Sequence, residues 1–379
     1  MRGSIVRKGS VYYVKHDVYV DGKRKQKWTR AGTTRDEADD MLVQVMGQVK
    51  KGVYVDSSRT TVAEYLKGTW LPAIRSTIKP STAELYETIV RAHIEPHIGG
   101  TKLQDVKPPH LNAMYATLST SGKRDGTGLG AKTVRNAHGL LHRAFRDAVR
   151  WELLVRNPAE YADPPRVGAA DINAWNGEEV RTFLDACRSD RLHPLWHLTA
   201  TTGLRRGETL ALRWSDLDLK AQRVSVSRTA AFVGGETTYQ EPKTARSRRA
   251  VPLPAETVEV LKAWRKVQAA ERLAAGELYD AEANLVFADE RGKALPPKRV
   301  TKAFGRAVDR SGLPSITLHG LRHTFATVAL GAGVQVKLVA DILGHSSAQI
   351  TADVYSHSTE PMTREASDRV AAAMFGGTR

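Results

Sequence analysis

The chain has 379 residues, too many for a single hydrophobic core of ordinary size, so two or three domains are expected. A formal net charge of +16, spread along the chain, favours a polyanionic partner and makes nucleic acid the leading candidate. Apolar runs of about 18 residues are absent, and the first ten residues, MRGSIVRKGS, lack the apolar core of a signal peptide. We therefore expect a soluble, cytoplasmic protein with no membrane partner. The one cysteine, Cys187, excludes an internal disulfide and a multi-cysteine zinc site.

The first 55 residues predict a β-hairpin, or small sheet, packed on one helix. Side chains alternate in polarity over residues 11–20, as in a half-buried strand, and Asp21-Gly22 predicts the turn into a second strand. Thr34 and Glu37 have the spacing of a capping box, and apolar residues follow at helical intervals as far as Gly52.

The second strand of this hairpin carries a basic cluster, whose members are Lys23, Arg24, Lys25, Lys27 and Arg30. A basic two-stranded ribbon can enter a groove of DNA, which makes these residues candidates for DNA binding. A solvated edge strand protected by its charge is the alternative that the local sequence leaves open.

Residues 61–165 predict a four-helix domain. Its last helix, residues 132–151, combines an apolar stripe with a basic load that includes Lys132, Arg135, Arg143 and Arg146. Such a helix suits contact with a DNA backbone, although solvation explains a charged face equally well. The stretch of residues 157–168 is rich in proline and glycine and predicts the boundary to a further domain.

The C-terminal part of the chain begins with a predicted helix at Asn176, and a later apolar helix breaks at Gly203. Arg205 and Glu208 follow that break three residues apart, so the carboxylate can hold the guanidinium in place. Residues 223–253 then predict a three-stranded sheet whose second turn carries Lys243.

The segment from His319 to Tyr355 holds the densest set of reactive side chains. His319 and Arg322 lie three residues apart at the start of a predicted helix, and this spacing turns both to one face. A second predicted helix ends at Gly344, which places His345 just beyond it, and Tyr355 follows ten residues later. A guanidinium, two imidazoles and a phenol are suited to attack a phosphodiester without a metal.

Five separated motifs resemble the tyrosine recombinases, in their phage-type integrase branch. They are TGLRRGE with Arg205, the PKT hairpin with Lys243, HGLRH at 319–323, LGH at 343–345 and the downstream Tyr355. The resemblance implies a multidomain chain, mostly α with small β-sheets. Residues 1–55 would form an arm-site DNA-binding domain, residues 61–165 a helical core-site-binding domain, and residues 172–379 an α+β catalytic domain with a C-terminal tail.

The resemblance also implies a role for each residue of the set. Tyr355 would be the nucleophile that forms a 3′-phosphotyrosine, while Arg205, supported by Glu208, and Arg322 would clamp the phosphate. His319 would assist the nucleophile, His345 would hydrogen-bond the phosphate, and Lys243 would be the general acid. Because the covalent bond preserves the energy of the phosphodiester, neither ATP nor a metal ion nor any other cofactor is expected.

The implied function is site-specific recombination that integrates or excises a phage or mobile element. Its partners would be double-stranded DNA with core-type and arm-type attachment sites and three further copies of the chain in a homotetramer, within the bacterial nucleoid. A host DNA-bending protein and an excision or directionality factor are further candidates. The segment after Tyr355 would dock on a neighbouring protomer, with a terminal helix folded on its own domain as the alternative.

Three other functions share part of this pattern. A type IB topoisomerase has the same chemistry, but the N-terminal hairpin domain argues against it. A metal-dependent hydrolase would use His319, His323, His345 and His357, yet HGLRH lacks the glutamate of the H-E-x-x-H motif. A DNA-binding protein that does not cut would be expected to lose one of the six reactive residues, and none is missing.

Overall fold

The structure is a computed structural model that describes residues 3–20, 23–50, 55–168, 173–241, 248–345, 347–355, 367–368, 370–371 and 374–375. The side chains of residues 18–20, 23, 48, 50, 350 and 353–355 lie outside that description. The chain divides into two compact units, Met1–Ala169 and Ala170–Arg379. Among the described residues, the helices are too short or too polar to cross a membrane.

The N-terminal unit begins with an antiparallel sheet of β1 (Ser4–Lys8), β2 (Val11–Val20) and β3 (Lys23–Gly32), followed by helix α1 (Arg35–Lys50). The predicted pair of strands and the helix are confirmed, and β1 is an additional strand on the free edge of β2. The predicted capping box is also confirmed, since Thr34 and Glu37 exchange hydrogen bonds at 3.3 Å and 3.0 Å. The predicted turn at Asp21-Gly22 lies outside the described residues.

The rest of this unit is helical. The helices are α2 (Val62–Glu64) and α3 (Leu71–Ile74), which are joined by wide turns over Tyr65–Trp70, then α4 (Pro80–Ile89), α5 (Glu95–Ile98), α6 (Pro108–Ser121) and α7 (Ala131–Arg150). The apolar stripe predicted for α7 is buried. Two buried hydrogen bonds join the wide turns Tyr65–Trp70 to α7, from Trp70 Nε1 to Asp147 Oδ2 at 2.9 Å and from the Tyr65 hydroxyl to the Ala144 carbonyl at 2.7 Å.

The C-terminal unit is built from helices around an aromatic core. The helices are α8 (Gly177–Ala186), α9 (His193–Thr202), α10 (Arg206–Ala211), α11 (Ala255–Ala275), α12 (Pro297–Ser311), α13 (Leu318–Gly331), α14 (Val336–Leu343) and α15 (Ala348–Tyr355). Phe304 of α12 packs edge-on against Phe183 of α8 and Trp196 of α9, with ring centroids 5.4 Å and 5.3 Å apart. These contacts fix α9, and therefore the turn that follows it, against the core.

The β-strands of this unit differ from the single three-stranded sheet that the sequence predicted. Strands β4 (Leu217–Asp218), β5 (Arg223–Val226) and β8 (Arg249–Pro252) form one sheet, whereas β6 (Thr229–Val233) and β7 (Glu236–Gln240) form another. Ser227 and Arg228 separate β5 from β6, and Arg228 Nε donates to the Ala211 carbonyl at 2.7 Å, which turns the chain towards α10. The start of β6 then lies close to α10, where a Cβ on Gly207 would come within 2.8 Å of the Ala230 carbonyl oxygen.

Candidate active site

The candidate site forms where the C-terminal ends of α9 and α14 meet the N-terminal half of α13. Gly203 ends α9 in a left-handed conformation, with φ of +63°. A Cβ there would lie 2.5 Å from Leu343 in α14 and 2.8 Å from Phe325 in α13. Glycine is therefore required both for the backbone conformation and for the close approach of the three helices.

Arg322 lies at the centre of this junction and is 2% exposed. Its guanidinium donates to the Gly203 carbonyl at 2.8 Å and to the Leu343 carbonyl at 2.7 Å. These carbonyls belong to the negative ends of two helix dipoles, which offset the cost of burying the charge. Burial and the neighbouring Arg205 lower the pKa of Arg322 to about 9, so the side chain remains a cation at neutral pH.

Arg205 follows the same turn and is held from two directions. The predicted pairing with Glu208 is confirmed, because the guanidinium donates to Glu208 Oε1 at 2.8 Å and the backbone N–H of Arg205 donates to Oε2 at 2.9 Å. A further bond at 3.1 Å reaches the Gly344 carbonyl. The side chain is still 37% exposed, so a ligand can reach this guanidinium.

Arg249, at the start of β8, is a site residue that the sequence reasoning missed. It donates to both oxygens of Glu208, at 3.2 Å and 3.0 Å, and its Nε donates to the Ile342 carbonyl. In the sequence Arg249 ends a basic run, Arg246-Ser247-Arg248-Arg249, which is typical of a solvated surface. Its burial results from the packing of β8 against α14, and no local pattern indicates it.

Three consecutive carbonyls at the end of α14 thus each accept from a different arginine. Ile342 binds Arg249, Leu343 binds Arg322 and Gly344 binds Arg205. Gly344 has a φ of +65°, and a Cβ there would lie 2.9 Å from the Arg249 guanidinium. The C-terminus of α14 is therefore the element that brings the arginines together, and His345 follows directly after it, as predicted.

Three imidazoles border the arginines. His319 and His323 face each other in α13 with ring centroids 4.8 Å apart, and His345 lies beyond α14. Burial, together with the charges of Arg322 and Arg205, lowers the pKa of His319 and of His345 to about 4. Both imidazoles are neutral at pH 7, and the positive charge of the site resides on the guanidinium groups. Such an arrangement favours an anionic ligand.

The structure brings Arg205, Glu208, His319, Arg322 and His345 into one region. Tyr355 is the last residue of α15, which packs against α13 and α14, but its side chain lies outside the description. Lys243 lies outside the described residues. Within the described ranges, no cluster of three or more His, Cys, Asp or Glu side chains could hold a metal ion.

The predicted DNA-binding residues of β3 are divided between the two faces of the sheet. Val14 and His16 of β2 are buried beneath α1, so their cross-strand partners, Thr29 and Lys27, face the helix. Alternation places Arg24 and Arg30 on the opposite, open face, whereas Lys25 lies on the helix side. The side chain of Lys23 lies outside the description, and Lys27 forms an ion pair with Asp56 at 2.5 Å.

The open face combines cations with an exposed aromatic ring. Lys15 pairs directly with Trp28, and Arg30 pairs with Tyr13. The ammonium groups of Lys8 and Lys15 lie 4.5 Å and 5.7 Å from the centre of the Trp28 ring, which is 42% exposed. Cations over an exposed aromatic surface suit a nucleic-acid ligand.

Two helices also present basic surfaces. On α7, Lys132, Arg135 and Arg146 are exposed, while Arg143 is partly buried and donates to the Tyr86 hydroxyl at 3.4 Å. A basic surface on α12 was not predicted, and its exposed residues include Lys298, Arg299, Lys302 and Arg306. The sequence does indicate this surface, because these basic residues alternate at helical spacing with the buried Val300, Phe304 and Val308. Arg206 of α10 donates to Thr301 Oγ1 at 2.7 Å, which connects α12 to the residue next to Arg205.

The sequence of this chain matches protein-family models and known proteins of one class. Residues 175–361 match the sequence model of the Phage integrase family, and residues 61–119 match that of the Phage integrase N-terminal SAM-like domain. A protein named "Tyrosine recombinase XerC-like" from Caldanaerobacter subterraneus subsp. tengcongensis is 31% identical over an alignment of 345 residues, with coverage of 86% of this chain and 86% of its own. An integrase from Streptomyces ambofaciens is 28% identical over 90% of this chain and 87% of its own.

Solved structures of integrases are similar to this structure. The integrase of the Tn1549 transposon, in complex with transposon right end DNA, is 25% identical and superposes with a TM-score of 0.68 over 82% of this chain and 100% of its own. A lambda integrase dimer bound to a core site shares the fold, with 18% identity and a TM-score of 0.59 over 92% of this chain and 93% of its own. The class is that of the integrase-type DNA recombinases. This chain belongs to the tyrosine recombinase family, and it is therefore an enzyme of site-specific DNA recombination.

Proposed function

We propose that this chain integrates and excises a phage or other mobile element through a covalent intermediate on Tyr355. The observation that carries the proposal is the pair of guanidinium groups, Arg205 and Arg322, held by the carbonyls of adjacent residues, Gly344 and Leu343. Fixed cations in a partly buried site stabilise the negative charge that develops on the non-bridging oxygens during phosphoryl transfer.

In the proposed reaction the phenol oxygen of Tyr355 forms a bond to the scissile phosphorus, and the bond from phosphorus to the 5′ oxygen breaks. A tyrosine hydroxyl has an ordinary pKa of about 10, so it needs assistance at neutral pH. His319 can accept the phenol proton, because its imidazole is neutral above a pKa of about 4. His345 hydrogen-bonds the phosphate, and Lys243 gives a proton to the leaving 5′ oxygen.

The product is a 3′-phosphotyrosine with a free 5′ hydroxyl on the other strand end. When the 5′ hydroxyl of a partner duplex attacks this intermediate, the same steps run in reverse and join the new strands. The phosphodiester energy is retained in the covalent bond, so we assign no role to ATP, to a metal ion or to another cofactor.

We assign DNA recognition to three regions. Residues 1–55 would bind arm-type sites with the open face of the sheet, residues 61–165 would bind core-type sites with the basic side of α7, and residues 172–379 would carry the chemistry. The basic side of α12, joined to Arg206 through Thr301, would contact the DNA backbone beside the cleavage site.

Two duplexes and paired strand exchanges need four active sites, so we propose a homotetramer on DNA. The lambda integrase, which shares the fold at 18% identity, has been solved as a tetramer bound to a Holliday junction. A host DNA-bending protein and an excision or directionality factor would determine which reaction predominates, and the cytoplasm, at the nucleoid, is the proposed site of action.

The proposal is tested with nicked suicide substrates made from DNA that flanks the gene, incubated in EDTA with wild-type protein and with Tyr355→Phe. A protein–DNA adduct on denaturing gels in the wild type, and none in the variant, is the expected result. Tight binding without an adduct would instead indicate a DNA-binding protein that does not cut. An adduct that survives in Tyr355→Phe would show that another residue is the nucleophile.

A further inference from the structure

A hydrogen bond connects His345 to the helix that carries Tyr355. The Nδ1 atom of its imidazole lies 2.8 Å from Oγ1 of Thr351. Thr351 is fully buried, at 0% exposure, and lies in α15 four residues before Tyr355, about one helical turn. The sequence motifs do not indicate a role for this threonine.

The direction of this hydrogen bond follows from the groups around it. A neutral imidazole has one nitrogen that donates and one that accepts, and which is which depends on the partners. Nδ1 of His345 is the partner of the Thr351 hydroxyl in the part of the chain that the structure describes. If Nδ1 donated, the hydroxyl proton would be left without an acceptor, which is costly because the Thr351 side chain is buried. The hydroxyl therefore donates to Nδ1.

We propose that Thr351 is a positioning residue that holds His345 in the tautomer with its proton on Nε2, so that Nε2 donates a hydrogen bond to the scissile phosphate. This inference rests on the proposed function. With the other tautomer, the lone pair of Nε2 would face an anionic oxygen and repel it. The same bond links the end of α14 to α15, so the phosphate-binding imidazole and the helix of the nucleophile are fixed relative to each other.

The test compares Thr351→Val, which keeps the shape of the side chain but lacks the hydroxyl, with Thr351→Ser, which keeps the hydroxyl. We expect Thr351→Val to form the covalent adduct about tenfold more slowly, the effect of one lost hydrogen bond on a barrier, with unchanged affinity for DNA. Thr351→Ser should retain nearly the wild-type rate. Equal rates for Thr351→Val and wild type would overturn the inference, and so would a serine variant as slow as the valine variant.

A second pair of variants separates positioning from packing. In His345→Gln the side-chain amide can donate to the phosphate, and an amide has no tautomers for Thr351 to select. Adding Thr351→Val to this variant should therefore slow adduct formation little further. An equal, additional loss in the double variant would mean that Thr351 acts through packing alone.

The tautomer can also be measured without any reaction. In protein labelled with ¹⁵N at histidine, the ring resonances that disappear in His345→Gln should show an unprotonated Nδ1 and a protonated Nε2 at pH 7, and Thr351→Val should change that pattern. A protonated Nδ1 in the wild type would overturn the inference. This measurement needs no substrate, so it distinguishes failure of the tautomer assignment from failure of the proposed function, which would appear as the absence of a Tyr355-dependent adduct.

Discussion

Arg249 and Glu208 form a two-bond ion pair in which both side chains are almost completely buried. Glu208 also accepts from Arg205, so one carboxylate joins two guanidinium groups. Burial would raise the pKa of Glu208, but the hydrogen bonds and charges of Arg249 and Arg205 hold it below its ordinary value. Glu208 is therefore a permanent anion in the middle of a cationic site.

Removing one partner of this buried pair should destabilise the C-terminal unit strongly. Arg249→Met leaves Glu208 with a single guanidinium and leaves the Ile342 carbonyl without its arginine, and breaking a buried pair costs about 3–5 kcal/mol. Urea unfolding measures the loss of stability. Arg188, which forms an exposed ion pair with Asp185, provides the matched control, and Arg188→Met should change stability little. If the free energy of unfolding of Arg249→Met equals that of the wild type, the Arg249–Glu208 ion pair does not stabilise the C-terminal unit.

The depressed pKa values of His319 and His345 predict a stability that depends on pH. Each histidine has a folded pKa of about 4, below the unfolded value of 6.5. Between these values the unfolded chain binds more protons than the folded one, so the free energy of unfolding should fall as the pH is lowered from 7 to 5.

Replacing either histidine with glutamine removes its part of this pH dependence. Urea unfolding at pH 7 and pH 5 measures how much the free energy of unfolding falls between these values. The fall should be smaller for His319→Gln and for His345→Gln than for the wild type. His97→Gln serves as the control, because His97 is exposed on the N-terminal unit. Its free energy of unfolding should fall between pH 7 and pH 5 by as much as that of the wild type. Identical pH dependence in all four proteins would show that the two site histidines are not buried beside the arginines in solution.

The general-acid role proposed for Lys243 predicts a specific chemical rescue. Lys243→Ala should slow cleavage of ordinary DNA by about 100-fold or more, the usual contribution of a general acid. With sulfur in place of the leaving 5′ oxygen, the variant should regain activity, because a thiolate leaves without protonation. Adduct formation on both substrates is the measurement, and Tyr355→Phe, which should be inactive on both, is the control. A defect that persists with sulfur would remove Lys243 from this role.

The two faces of the N-terminal sheet predict different effects for neighbouring basic residues. Arg30→Ala removes a charge from the open face beside Trp28, whereas Lys25→Ala removes one from the helix side. Binding to arm-type DNA should therefore weaken clearly in the first variant and little in the second, while cleavage of an isolated core site stays unchanged in both. Equal losses of arm-site binding would mean that charge, and not the open face, determines recognition.

The basic surfaces of α7 and α12 predict a steep dependence of DNA binding on salt. Each phosphate contact releases counterions, so Arg146→Ala and Lys302→Ala should each reduce the slope of log affinity against log salt by about one. Fluorescence anisotropy over a range of salt concentrations measures the slope. Lys262 of α11, paired with Glu259, is the control, and Lys262→Ala should not change it. An unchanged slope for Arg146→Ala or Lys302→Ala would remove that helix from the DNA interface.

Much of this architecture follows from the sequence, because its causes are local. The period of two over residues 11–20 predicted β2, the apolar stripe predicted α7, and the capping pair Thr34 and Glu37 predicted the start of α1. The pairing of Arg205 with Glu208 and the position of His345 after α14 are also set by spacing along the chain. Such features depend on residues within one or two turns of each other, and neighbours along the chain are neighbours in space.

The tertiary structure alone decided what those residues contact. Arg249 and the Ile342 carbonyl are 93 residues apart, and Arg322 and the Gly203 carbonyl are 119 apart. Arg249 ends a basic run that resembles a solvated surface, and only the docking of β8 against α14 buries it. The division of the predicted sheet at Ser227 has the same origin, since Arg228 bonds to α10. Spacing along a chain constrains which side chains share a helix face, but which distant carbonyl accepts from a guanidinium depends on how the helices pack.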